Sequence, residues 1–347
     1  MRWGVVAIGL LAFAAAQPAD AADARSVAAR SVAAISKSIA IVESHSGDAS
    51  PHLLPLLDRL AGAQVDDGAL AEAADSRRRA LKIAVKAYGG GSPNAANAMV
   101  GLADVEIMRR HYTEAEPLLI TALPVLEHRF GDNSPLLTPP LAALARIALA
   151  RGDVPAAEAW AVKANATAGK RPNPNAGEAL RALGAVCAAE DRFDEGERLL
   201  RAAVAFDRQR HGANSLELAR SLVQLANLLL RAERFEEALP PIEQAIAIDQ
   251  EKLGEAHPLI ADDFADLGLI YAGLGRDDAA GDALYYAIGL LERGSSEEST
   301  RLGYAEIEIA PILRRLGQKD DADAAFKDGK RILDSAADEE RDRERQL

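Results

Sequence analysis

Only one cysteine, Cys187, occurs in 347 residues, so no internal disulfide can staple this chain. Aromatic residues make up 4% of it, which excludes a core built on large ring anchors and leaves one assembled from small and aliphatic contacts. Basic charge is in deficit as well. Forty Lys and Arg stand against 53 Asp and Glu, and the formal charge of −13 excludes the electrostatic footprint of a nucleic-acid binder. Familiar chemistry is also missing. Gly89-Gly90-Gly91-Ser92 lacks the lysine with serine or threonine that completes a phosphate-binding loop, and it reads as a turn between helical units. The six histidines, His45, His52, His111, His128, His211 and His257, never pair at helical ligand spacing. No cofactor, no metal site and no catalytic constellation are therefore expected.

What the chain has instead is a period. Shifted by 42 residues it places Ala73, Ala115 and Ala157 on one another; after a spacing of 39 the series resumes with Gly196, Ala238, Ala280 and Ala322. Twelve residues earlier lie Ala61, Ala103, Ala145, Gly184, Ala226, Gly268 and Ala310, each preceded by leucine or isoleucine. Seven residues later come Ala80, Ala122, Ala164, Ala203, Ala245, Ala287 and Gly329. A spacing of seven keeps two residues on one helical face, so each unit reads as a hairpin of two helices. Small side chains let backbones approach, and each hairpin must bury its apolar face on the next, which predicts an all-α solenoid of about seven antiparallel hairpins. Asp153 with Pro155 marks the start of one second helix, and Gly131, Gly212 and Gly254 mark where others stop.

These residues resemble the tetratricopeptide repeat, with small residues at its eighth, twentieth and twenty-seventh positions and an aliphatic residue at its seventh. The longer kinesin-light-chain variety is the nearer likeness, through Tyr112-Thr-Glu-Ala115-Glu-Pro117-Leu-Leu, Ala122-Leu123 and Gly254-Glu-Ala-His257-Pro258. It spans roughly residues 51–333, departing at Arg77, where later units have Leu, Ile or Phe, and in keeping the first-helix tyrosine only as Tyr271. The resemblance implies a right-handed superhelix whose first helices line a concave groove. Carried onto this chain, that rule points to Arg59, Asp104, Arg146, Arg181, Arg220, Gln224, Asn227, Arg231, Asp262 and Asp266 as groove residues.

The ends differ from the array. Arg2 followed by uncharged Trp3–Ala16 has the order of a secretory signal over residues 1–21, with cleavage after Ala16 or Ala21, and it predicts export to a periplasm or to the outside. An uncleaved N-terminal anchor is the alternative, although the apolar core is shorter than the ~20 residues of an easy membrane span. Residues 22–50 read as a capping helix, 169–177 (Gly169 to Gly177, with Pro172 and Pro174) as a joint or a shortened loop, and 334–347 as a charged tail.

Function then falls to the surface. Arginine dominates the predicted groove in the third to fifth units, and guanidinium forks suit an acidic segment or a C-terminal carboxylate. The plain alternative is that these arginines pair with neighbouring acids. A non-catalytic scaffold binding an extended peptide or protein partner is the leading expectation. Self-association within an envelope assembly, or an active site built across the groove, are the competing ones.

Overall fold

Each unit folds as the period dictates because its smallest residues occupy its tightest contacts. The computed structural model describes residues 18–168, 173–292 and 299–344, and these form 15 α-helices with no strand among the described residues. Helix α1 (Pro18–Ser46) precedes seven hairpins. They are α2 (Leu54–Asp66) with α3 (Leu70–Tyr88), α4 (Pro93–Met108) with α5 (Tyr112–Phe130), and α6 (Thr138–Ala150) with α7 (Val154–Ala168). There follow α8 (Ala176–Ala189) with α9 (Phe193–His211) and α10 (Leu216–Arg231) with α11 (Phe235–Leu253). Last come α12 (Ala261–Gly273) with α13 (Asp277–Leu291) and α14 (Ser299–Arg315) with α15 (Lys319–Glu344).

The alanines at the periodic positions are buried, most with no exposure at all. At Gly268 a β-carbon would meet Leu284 Cγ at 2.7 Å, and at Gly329 it would meet the Gly303 carbonyl oxygen at 2.6 Å. Backbones approach there as only glycine permits. Leu119, Leu144, Leu200, Leu228 and Ile242 fill the space around these contacts.

Turns repeat as faithfully as helices. Inside the seven hairpins the chain reverses through Gly68, Arg110, Gly152, Asp191, Glu233, Gly275 and Gly317, all left-handed with φ between 56° and 81°. Gly89, Gly131, Gly212 and Gly254, also at positive φ, end the second helices of four units. Asp153 Oδ1 accepts the Ala156 N–H at 3.1 Å, capping α7 as its sequence requires. The units then stack with their first helices inside: α4 packs on α6, α6 on α8, α8 on α10, α10 on α12, and α12 on α14.

Polar contacts bind the units where apolar area is scarce. Arg77, Arg78 and Arg79 reach Asp58, Glu106 and Glu43, tying α3 to α2, α4 and α1. Beside the shortened spacing, Asn173 Nδ2 donates to Thr138 Oγ1 at 3.0 Å, and the buried Thr138 and Thr167 hydroxyls lie 2.5 Å apart. Residues 169–172 of the expected joint, and residues 1–17 of the expected signal, lie outside the described residues. Cys187 is buried in the core.

The array also bends back on itself, which the period does not announce. Helix α1 packs on α11. The His257 ring Nε2 lies 3.0 Å from the Val65 carbonyl oxygen, and Arg110 Nη2 lies 3.0 Å from Asp262 Oδ2. Pro258 seats on Gly68, where a β-carbon would stand 3.0 Å from its ring. The sixth unit thus meets the first two, and the groove is closed along one seam.

Candidate functional site

All ten predicted groove residues lie on first helices: Arg59 on α2, Asp104 on α4, Arg146 on α6, Arg181 on α8, four on α10 and two on α12. Their surroundings divide them. Arg181 is held in the structure itself, its Nη1 donating to Asp207 Oδ2 at 2.6 Å and to Ser221 Oγ at 3.1 Å. Arg231 meets Asp191 at 3.4 Å, with both side chains largely exposed. For these two the plain reading, pairing with a neighbouring acid, is what the structure shows. Arg59, Arg146 and Arg220 are exposed. Burial raises Asp104 to about 6 against the pull of Arg146, so these groups of the second and third units sit close enough to feel one another.

Toward the sixth unit the groove turns acidic. A cavity of about 410 Å³ is lined by Arg110, Gln224, Asn227, Asp262, Asp266, Arg301, Tyr304 and Glu308. Burial works against the Asp262 charge, yet Arg301 and Arg110 hold its carboxyl below the usual range. Asp266 is pushed up to about 7 by burial and by Asp262, and a hydrogen bond from Asn227 opposes the rise. At the cavity wall Asp263 on α12, which also lines it, is buried and hydrogen-bonded to the buried Asp249 on α11. Two carboxyls so placed share a proton. Burial lifts Asp249 to about 6 and Asp263 well above its ordinary value. A second, more open depression of about 490 Å³ lies against α9 between Arg201, Val204 and Arg208, on a second helix. No group of three His, Cys, Asp or Glu side chains among the described residues is placed to hold a metal. No helix among them is long and apolar enough to cross a membrane.

The family model of the tetratricopeptide repeat matches residues 53–128 and 175–251. Over those two stretches the chain carries tetratricopeptide repeats. The array is similar in fold to BtubC (BKLC) from P. vanneervenii, at 18% identity over 70% of this chain and 92% of that one, with a TM-score of 0.51. It is also similar to a Rap protein complexed with Competence and Sporulation Factor, at 13% identity over 82% and 76%, with a TM-score of 0.62. A candidate kinesin light chain of Podosopora anserina with nearly identical TPR-like repeats shares 21% identity over 58% and 96%, at a TM-score of 0.44. No curated protein matches the chain in sequence.

Within the repeat array, several groove-forming residues escape a reading of first helices alone. Asp207 and Asp249 stand 42 apart on second helices, as Ser221 and Asp263 do on the first helices that follow. That recurrence was visible in the sequence, although the burial that raises Asp249 and Asp263 was not. Arg110 and Arg301 carry no such signal; they enter the cavity because the superhelix brings the second, sixth and seventh units together.

Proposed function

We propose that this repeat array is an exported, non-catalytic scaffold that binds an extended peptide or a protein segment in its concave groove. Stacked helical repeats present long concave surfaces suited to such partners. The observation that carries the reading is the pair Arg146 and Arg220, exposed on first helices and making no ion pair among the described residues. Two uncommitted guanidinium groups on one lining favour an acidic segment or a C-terminal carboxylate. Arg181, tied to Asp207, stiffens the wall between them. Export rests on the basic, apolar and small-residue order of residues 1–21.

The test is binding of a randomised peptide library, presented with free and with amidated C termini, followed by fluorescence anisotropy of the selected peptides. Arg146→Glu together with Arg220→Glu should weaken the best binders by at least about tenfold, as expected for loss of about 1.4 kcal/mol or more. Undiminished binding with native helicity removes these arginines from the site. Amidation that weakens binding assigns them a terminal carboxylate, and tolerance of amidation assigns them internal acidic side chains.

A further inference from the structure

One position opens six of the seven units in the same way. Ser50, Ser92, Ser134, Asn173, Ser215 and His257 follow the repeat spacing, and each side chain accepts a backbone N–H two or three residues on. A hydroxyl or amide oxygen suffices for that task. The sixth unit uses an imidazole instead, and an imidazole has a second nitrogen. His257 Nδ1 accepts the Leu259 N–H at 3.2 Å, and Nε2 lies 3.0 Å from the carbonyl oxygen of Val65 on α2. Because the first partner only donates and the second only accepts, the ring is neutral with its proton on Nε2. The ring is fully buried.

We infer that His257 is a pH-sensitive clasp: the neutral imidazole closes the superhelix on the first unit, and its protonation opens the seam. A proton on Nδ1 would face the Leu259 N–H, donor against donor, at a site with no exposure to water. The cap and the bond to Val65 are made by one ring, so they are lost together when the ring leaves. Charged neighbours come from each element of the seam. Asp66 and Asp67 follow Val65, Arg110 and Asp262 form the adjoining ion pair, and Arg301 donates to the Pro258 carbonyl at 2.9 Å while pairing with Asp262. The Arg110–Asp262 pair persists at moderate acidity, since Asp262 is held below the usual carboxylate range. An imidazole changes charge between about pH 7.5 and pH 5. Asp104 and Asp249, raised to about 6, and Asp266, raised to about 7, also change charge in the range the experiment spans, and the His257→Gln variant, which leaves them in place, separates the ring from them. Opening separates the second and sixth units, which together line the cavity, and so widens the groove.

The experiment uses the full chain in a Cys187→Ala background, with spin labels on Glu72→Cys and Glu255→Cys, two exposed positions on either side of the seam. The distance between labels should be short and narrowly distributed at pH 8 and longer at pH 5. His257→Gln supplies both an acceptor and a donor without titrating, and should stay short at both values. His257→Ser restores the cap of the sister units without reaching Val65, and should be long at both. An unchanged distance in the parent protein, or a His257→Gln variant that opens with acid as the parent does, overturns the clasp. Should His257→Ser fail to keep its helicity, the parent and His257→Gln decide the matter between them.

Discussion

Asp263→Asn isolates the energetic consequence of the buried acid pair. In the parent protein Asp249 and Asp263 share a proton between α11 and α12, and burial lifts Asp249 to about 6. A carboxyl whose value is raised by folding contributes stability that is complete below its unfolded value and is lost as pH rises through the folded one. Carrying Asp249 from 3.8 to about 6 corresponds, at about 1.4 kcal/mol per pH unit, to about 3 kcal/mol given up between pH 4 and pH 8. An asparagine amide at this position donates to the Asp249 carboxylate as the protonated Asp263 does. It removes the carboxyl that burial and the neighbouring acids hold well above its ordinary value, while the burial that raises Asp249 stays in both proteins. The variant should match the parent at pH 4 and exceed it at pH 8, by at least about 1.4 kcal/mol, the cost of a single pH unit of upward shift in the carboxyl that is removed. Urea unfolding at both pH values measures the difference. Hydrogen exchange of α11 and α12 localises it, because repeat arrays need not unfold in one step. An equal difference between the two proteins at pH 4 and pH 8 would refute the shared proton.

Glu233 is exposed and left-handed at φ 56° in a turn where four sister units use glycine; Glu233→Gly should stabilise by about 0.5–1 kcal/mol, the strain relieved less the added chain entropy, read as a rise in urea midpoint. Two glycines in the last units should respond oppositely to alanine. At Gly281 a β-carbon would sit 3.7 Å from Leu316, an ordinary contact, and Gly281→Ala should stabilise by up to about 1 kcal/mol. At Gly329 it would collide with the Gly303 carbonyl oxygen, and Gly329→Ala should cost about 1–2 kcal/mol by overpacking α14 against α15, seen as faster hydrogen exchange in both helices. Removing the Ser92 hydroxyl, which accepts the Ala95 N–H at 3.2 Å, should cost about 1 kcal/mol by the same measurement, localised to α4.

Much of this architecture is legible residue by residue. The recurrence at Ala61, Ala73 and Ala80 and their counterparts marks the faces where helices must touch, because no larger side chain leaves room for the backbones. Asp153 and the glycines at 131, 212 and 254 mark helix ends for reasons of local hydrogen bonding and conformation alone. Placement of the groove candidates on first helices follows from the same periodicity. Which arginines remain available does not. Arg181 and Arg220 read alike in the sequence, yet Arg181 meets Asp207 from the second helix of its own hairpin, while Arg220 is left exposed.

Local spacing by itself determined the hairpins, their order and the face each turns inward, since these depend on residues within about one unit of each other. Only the tertiary structure decided how far the stack curves. That curvature is the accumulated small rotation between neighbours, and it alone brings Val65 to His257 and Arg110 to Asp262 across more than 150 residues. The cavity and the seam beside it arise from that summed rotation, to which every interface contributes and which no single repeat encodes.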